Sequence, residues 1–117
     1  MSGIVFFRTQ NREQVVDWYL DNFDDVEVWL EQVGCTILRF DGFRFGFCDG
    51  DQTEADGILT FVYDTTENVD EMHRRLEDSA REDPHENEPY RIYQFFAADP
   101  DGRTVEIQSF LHETPLL

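Results

Sequence analysis

Six polar side chains on predicted β-strands are the groups with which this chain could do chemistry. They are Arg8, Arg44, Thr60, Gln94, Glu106 and Gln108. Side chains alternate between the two faces of a strand, and each of these six falls on the face away from the predicted helices. A guanidinium group suits a carboxylate or phosphate because it donates paired hydrogen bonds, so Arg8 and Arg44 predict an anionic ligand. Glu106 is the carboxylate of the set and the candidate catalytic base.

The same face also carries aromatic and aliphatic side chains. Phe6 and Phe96 alternate onto it, and we expect both to contact a ligand. An apolar surface with a few polar groups is typical of a small-molecule pocket. The alternation equally allows a dimer surface or a second, filled core. An ion pair of Glu106 with Arg8 or Arg44 is the structural alternative to an anion site.

The elements that position these residues repeat once along the chain. In each half an opening strand, at residues 4–8 or 58–63, precedes an amphipathic helix, which begins after Asn11 or at Thr65 or Asn68. Further strands follow at residues 26–31, 35–40 and 43–48 in the first half and at residues 91–97 and 103–110 in the second. Residues 81–89 are polar with two prolines, which indicates a short or missing strand in the second half.

This pattern predicts an α+β fold of two βαβββ units. We expect the units to form a curved mixed sheet around a cleft, with the helices on the outer face. The 117 residues suit one domain. Its predicted parts are unit one at 1–49, a linker at 50–57, unit two at 58–111 and a tail at 112–117.

The charge of the chain is strongly negative. The formal net charge is -17 at pH 7, and all nine basic residues are arginine. Acidic residues spread along the whole chain predict a salt-loving source, because a carboxylated surface stays soluble at high salt. The same charge disfavours nucleic acid as a partner. The absence of an apolar run near 18 residues disfavours a membrane span and favours a cytoplasmic location.

The two cysteines, Cys35 and Cys48, are expected to be reduced and packed. This expectation follows from the predicted cytoplasmic location, where thiols are kept reduced. Two cysteines define neither a disulfide framework nor a zinc site.

The run Phe95–Ile107, with Asp99-Pro100-Asp101-Gly102 at its turn and Glu106 near its end, resembles a known family pattern. It is similar to the closing hairpin of the vicinal oxygen chelate superfamily, which includes glyoxalase I, bleomycin-resistance proteins, fosfomycin-resistance proteins and extradiol dioxygenases. The paired βαβββ units extend the resemblance to nearly the whole chain.

The resemblance implies a divalent metal, bound in such proteins by His, Gln or Glu on the first and last strands of each unit. Carried over by position, those places hold Ile4, Gly46, Ile58 and Glu106. Of these only the Glu106 side chain has a donor atom, whereas zinc usually has at least three protein ligands. The three histidines fall on a helix, in an acidic loop and after the last strand. We therefore predict no metal or other cofactor, with a divalent metal as the alternative.

Two hypotheses about function follow. The first is a metal-free binding module of the bleomycin-resistance kind, with a small molecule in an aromatic cleft. The alternative is a divergent glyoxalase- or dioxygenase-type enzyme that uses Glu106. Members of the superfamily often pair units between chains, and the exposed sheet edges also favour a homodimer.

Overall fold

The computed structural model describes residues 2–115, which divide into two compact units. Unit 1 contains the chain up to Asp56 together with Asp99–Arg103. Unit 2 contains Gly57–Ala98 and the chain from Thr104 onward. Each unit has one helix and one four-stranded mixed sheet. The predicted α+β class and the repeated βαβββ plan are confirmed.

Unit 1 is formed by a parallel strand pair extended by two antiparallel strands. Its elements are β1 (Val5–Thr9), α1 (Arg12–Asn22), β2 (Val26–Gln32), β3 (Cys35–Phe40) and β4 (Phe43–Asp49). The strand order is β1-β4-β3-β2, with β1 parallel to β4. A hairpin on Asp41-Gly42 joins β3 to β4, with Phe40 opposite Phe43, as its Asp-Gly signal predicts.

Unit 2 repeats this topology. Its elements are β5 (Ile58–Val62), α2 (Thr66–Arg75), β6 (His85–Asn87), β7 (Ile92–Ala98) and β8 (Thr104–Phe110). The order is β5-β8-β7-β6, with β5 parallel to β8. Strand β6 has three residues, because Pro84 and Pro89 flank it and cannot donate to a ladder.

The predicted faces of the strands are confirmed by the packing under each helix. In unit 1 the ring of Tyr19 on α1 lies 5.3 Å from that of Phe45 and 5.5 Å from that of Phe47. In unit 2 Phe61 and Val69 are fully buried. The residues of β4 and β5 between these buried positions therefore point away from the helices.

The two helix starts differ in their capping. Thr65 caps α2, because its Oγ1 accepts a hydrogen bond of 3.1 Å from the backbone N of Asn68. Asn11 precedes α1 but forms no side-chain cap. Its Nδ2 instead donates to Oδ1 of Asp101 over 3.2 Å, so the side chain holds a turn in place rather than the helix end.

Part of the predicted linker lies within unit 1. The backbone N of Gly50 donates to the carbonyl of Thr9 over 3.1 Å, and the backbone N of Glu54 donates to the carbonyl of Arg8 over 2.9 Å. The Glu54 carboxylate accepts in return from the backbone N of Arg8 at 2.7 Å. These bonds attach the segment to β1.

A fully buried arginine, Arg103, joins the turn between β7 and β8 to the core of unit 1. Its Nη1 lies 2.6 Å from Oδ2 of Asp99. Its guanidinium carbon lies 4.5 Å from the ring centroid of Phe7 and 5.0 Å from that of Phe47. The cation is therefore paired with a carboxylate and stacked on two aromatic faces.

Asp99 organises the turn as well as the arginine. Its Oδ1 accepts from the backbone N of Asp101 at 2.9 Å and of Arg103 at 3.1 Å. The Tyr19 hydroxyl donates to its Oδ2 over 2.7 Å. Burial and the neighbouring Asp99 charge raise the pKa of Tyr19 well above its ordinary value. Gly102 has φ +79°, a conformation that side chains other than glycine rarely adopt.

The expectation of reduced cysteines is wrong, because Cys35 and Cys48 form a disulfide. The hairpin register places them directly opposite each other on β3 and β4, with Cα atoms 4.1 Å apart. Cross-strand proximity, rather than the assumed compartment, decides the pairing.

Arg103→Met is expected to lower the free energy of unfolding by about 3–5 kcal/mol, because it leaves the Asp99 carboxylate buried without its cation. Arg39→Met is the matched control in the same unit, since Arg39 forms an exposed ion pair with Glu27 and its loss costs at most about 1 kcal/mol. Denaturant unfolding measures both. Equal, small losses for the two variants would contradict the structural role of Arg103.

Reduction of the disulfide, or the double change of both cysteines to serine, is expected to cost about 3 kcal/mol of stability. The bridged cysteines are 13 residues apart in sequence. Closing a loop of that size reduces the entropy of the unfolded chain, which stabilises the folded state by about 3 kcal/mol. Thermal unfolding with and without reductant measures the change. Two freely alkylated thiols in the native, unreduced protein would refute the bridge.

The Tyr93 hydroxyl is expected to titrate at unusually high pH. It donates to Oδ1 of Asp70 over 2.6 Å, and this hydrogen bond raises the pKa of Tyr93 to about 12. Because the folded-state pKa exceeds the ordinary value of about 10, the stabilisation is complete below pH about 10 and is lost as pH rises through about 12. Difference absorbance titration of the protein against Tyr93→Phe measures it. Asp70→Asn should lower the midpoint, and an unchanged midpoint would contradict the assignment.

Candidate functional site

The candidate site is the face of the unit 2 sheet that points away from α2. Four predicted polar residues lie there: Thr60, Gln94, Glu106 and Gln108. Thr60 of β5 lies opposite Glu106 of β8, and Gln94 of β7 lies opposite Gln108. Adjacent strands in register thus bring together residues separated by up to 48 positions in sequence.

Glu106 is the centre of a hydrogen-bonded chain, which we call the Glu106 network. The Thr60 hydroxyl donates to its Oε1 over 2.8 Å, and Nε2 of Gln94 donates to its Oε2. Oε1 of Gln94 accepts in turn from Nδ2 of Asn87 over 2.8 Å. Both carboxylate oxygens therefore have neutral donors, and the Gln94 amide is oriented from both of its ends.

Gln108 lies beside this network with its acceptor unused. The residue is 8% exposed, as is Glu106. Its Oε1 is buried, and within residues 2–115 it has no hydrogen-bond partner. Buried side-chain oxygens are nearly always hydrogen-bonded, so an unpartnered one requires an explanation. The polar centre of this face lacks one donor.

Apolar side chains surround the polar centre. Ile58 is 57% exposed, and Val62 and Phe110 are also exposed. Phe96 lies opposite Glu106 and is half-buried. An apolar rim around a few polar groups is the composition expected of a binding site for small organic molecules.

The predicted site residues of unit 1 have other partners. Nε and Nη2 of Arg8 both donate to the Glu54 carboxylate over 3.2 Å. These bonds hold the pKa of Glu54 below its ordinary value. The Arg44 guanidinium carbon lies 4.6 Å above the ring of Trp29. Arg8 and Arg44 therefore each have a partner within unit 1.

Phe6 covers the position in unit 1 where the resemblance implies a metal ligand. It lies opposite Gly46 on the neighbouring strand. A Cβ atom added at Gly46 would lie 2.7 Å from two carbons of the Phe6 ring. A donor side chain at residue 46 therefore cannot be accommodated unless Phe6 moves.

The residues present do not fit the divalent metal of the superfamily. Ile4 and Ile58 have no donor atom, Gly46 lies under Phe6, and both oxygens of Glu106 are hydrogen-bonded. The described part of the chain contains no group of three His, Cys, Asp or Glu side chains that could hold a metal ion.

The three histidines have contacts elsewhere. His73 is half-buried, and its ring lies 5.0 Å from that of Phe95. His85 has its Nε2 3.2 Å from Glu82. His112 lies 5.5 Å from the Phe110 ring.

A concave surface lies beside α1 in unit 1, with a volume of about 610 Å³. Its lining is mostly exposed and charged, and includes Arg12, Asp17 and Asp49. Arg12 is already paired with Asp49 over 2.9 Å. None of the described residues that line this groove has a buried polar side-chain atom without a partner, so the Glu106 face is the stronger candidate.

Solved structures at low sequence identity share the fold of this chain. A glyoxalase/bleomycin resistance protein/dioxygenase from Nocardioides matches with TM-score 0.76 and 12% identity, covering 100% of this chain and 89% of that one. A glyoxalase/bleomycin resistance protein/dioxygenase family enzyme from Burkholderia phytofirmans matches with TM-score 0.80 and 18% identity, covering 92% and 97%. A lactoylglutathione lyase from Agrobacterium tumefaciens matches with TM-score 0.74 and 20% identity, covering 93% and 92%.

These likenesses establish the fold, and the resemblance seen in the sequence is confirmed at that level. The chain is built on the paired βαβββ plan of the glyoxalase, bleomycin-resistance and dioxygenase proteins. No protein-family model and no curated protein matches the sequence. The helices in the described part of the chain are too short or too polar to cross a membrane.

Proposed function

We propose that this protein is a metal-free small-molecule binding module of the bleomycin-resistance kind, and that its ligand binds on the Glu106 face of unit 2. The observation that supports this most is the buried, unpartnered Oε1 of Gln108 beside the Glu106 network. An acceptor without a donor costs stability. A ligand with a hydrogen-bond donor would satisfy this acceptor.

The lost chelating positions support the metal-free part of the proposal. The side chain at position 58 is an exposed isoleucine, which offers a ligand apolar contact and no coordination. At position 46 the Phe6 ring lies where a side chain would project. Aromatic and aliphatic groups at the positions where the resemblance implies ligands suit a binding role.

Glu106 is placed to accept hydrogen bonds from a ligand. Each of its oxygens accepts one hydrogen bond from a protein group, Thr60 on one side and Gln94 on the other, and a carboxylate has further lone pairs. The alternative, a glyoxalase- or dioxygenase-type enzyme, would use one of these lone pairs of Glu106 to take a proton from the substrate.

The proposal also covers the oligomeric state and the cellular location. We propose a homodimer, because edge strand β2 exposes Val28, Trp29 and Leu30 in succession and exposed apolar edges favour pairing. A cytoplasmic location and a salt-loving source stay predictions from composition. The disulfide argues against the cytoplasmic location, because such bonds persist mainly in oxidising compartments.

The protein is expected to bind organic fragments equally well with and without chelator. A fragment set screened by amide chemical shifts at high salt should perturb β5, β7 and β8 around Thr60, Gln94 and Gln108. Because the described residues contain no group of three His, Cys, Asp or Glu side chains that could hold a metal ion, nickel, zinc, iron or manganese should not raise the melting temperature of the chelator-treated protein.

Ile58→Ser provides the matched variant for this experiment. It removes apolar area from the exposed rim and should weaken fragment binding while leaving the fold intact. Stoichiometric metal in the purified protein, lost together with fragment binding on Glu106→Ala, would contradict the metal-free proposal. Fragment shifts confined to other surfaces would contradict the site.

A further inference from the structure

We infer that the ligand of the Glu106 face is an organic cation, a primary ammonium group attached to an apolar body. This inference rests on the proposed function, and it reverses the anionic ligand expected from the sequence. Three features support it: a buried carboxylate bonded by neutral donors, an unused buried acceptor, and an exposed apolar rim.

The first feature is the charge of Glu106. Its residue is 8% exposed, and its hydrogen-bond partners are the neutral groups of Thr60 and Gln94. Among the described residues of unit 2 it has no salt-bridge partner. A buried charge is normally paired, because desolvation without a partner costs free energy. A bound cation would supply the missing charge.

The second feature is the direction of the hydrogen bonds. The hydroxyl of Thr60 and one N–H of Gln94 are used by Glu106, and Oε1 of Gln94 is used by Asn87. The acceptors that remain at this centre are Oε1 of Gln108 and the remaining lone pairs of the carboxylate. An ammonium group has three donors and no acceptor, so it matches both at once.

The third feature separates an organic cation from a metal ion. Ile58, Val62 and Phe110 are exposed around the centre, and an inorganic ion would leave them in water. An apolar group attached to the ammonium would cover them, which is favourable in proportion to the area removed from water. The net charge of -17 further favours the approach of a cation over that of an anion.

The test uses three probes with one apolar body and different head groups: phenethylamine, 2-phenylethanol and 3-phenylpropionate. Titration calorimetry and amide shifts at moderate salt should show the amine binding about tenfold more tightly than the alcohol, the factor given by one charge-assisted contact worth about 1.4 kcal/mol. The carboxylate should bind more weakly than either.

Three variants locate the effect. Glu106→Gln should abolish the preference for the amine over the alcohol. Glu86→Gln makes the same charge change on exposed β6 of the same unit, at a residue that strand alternation places on the other face of the sheet. It should preserve the preference for the amine over the alcohol. Gln108→Leu removes the unused acceptor and should weaken amine binding about tenfold. This is the loss expected when one hydrogen bond to a charged group is removed. This variant also keeps the test available if Glu106→Gln does not fold.

The outcomes distinguish this inference from the function on which it rests. Equal binding of the three probes on the Glu106 face, or an amine preference that survives both Glu106→Gln and Gln108→Leu, would overturn the cation and leave the binding module standing. Preferred binding of the carboxylate would also overturn it. If no probe and no fragment shifts the amides of β5, β7 or β8, the proposed function fails as well.

Discussion

The burial of Arg103 is the constraint on which the structure of unit 1 depends. A fully buried guanidinium must be paired, and Asp99 provides the carboxylate while the rings of Phe7 and Phe47 provide aromatic faces. Since Asp99 also accepts from Tyr19 of α1, one ion pair connects the helix, two strands and the turn. The backbone bonds to Asp99 then fix the conformation that follows Pro100.

This constraint changes the interpretation of the most specific motif in the sequence. Asp99-Pro100-Asp101-Gly102-Arg103 carries much of the resemblance to the superfamily, yet its side chains serve the core of unit 1. Three residues after Arg103, Glu106 lies in unit 2 within a different kind of cluster. The Arg103 cluster has charges of both signs, whereas Glu106 has neutral partners. The first stabilises the fold, and we propose that the second receives a ligand.

Local patterns made most of the fold predictable. Alternation along β4, β5 and β8 correctly separated the helix side from the opposite face, and that is why Thr60, Gln94, Glu106 and Gln108 were found together. The roles of Arg8 and Arg44 were not predictable, because Glu54 and Trp29 come from a linker and a bulged strand whose positions the sequence pattern does not define. Asn87 was missed because three residues are too few to show a period. The disulfide could have been predicted, because the register of the Asp41-Gly42 hairpin places Cys35 opposite Cys48.

We propose that the unused acceptor of Gln108 is kept for a ligand and costs the protein stability. It is tested by the free energy of unfolding of Gln108→Leu, measured without ligand at high salt. Replacing a buried polar group that lacks a partner by an apolar one of similar size is expected to be nearly neutral or stabilising, so stability equal to or above that of the parent is predicted. A loss of about 2 kcal/mol or more, of the size expected when a satisfied buried network is broken, would show that the cluster exists to hold the fold together.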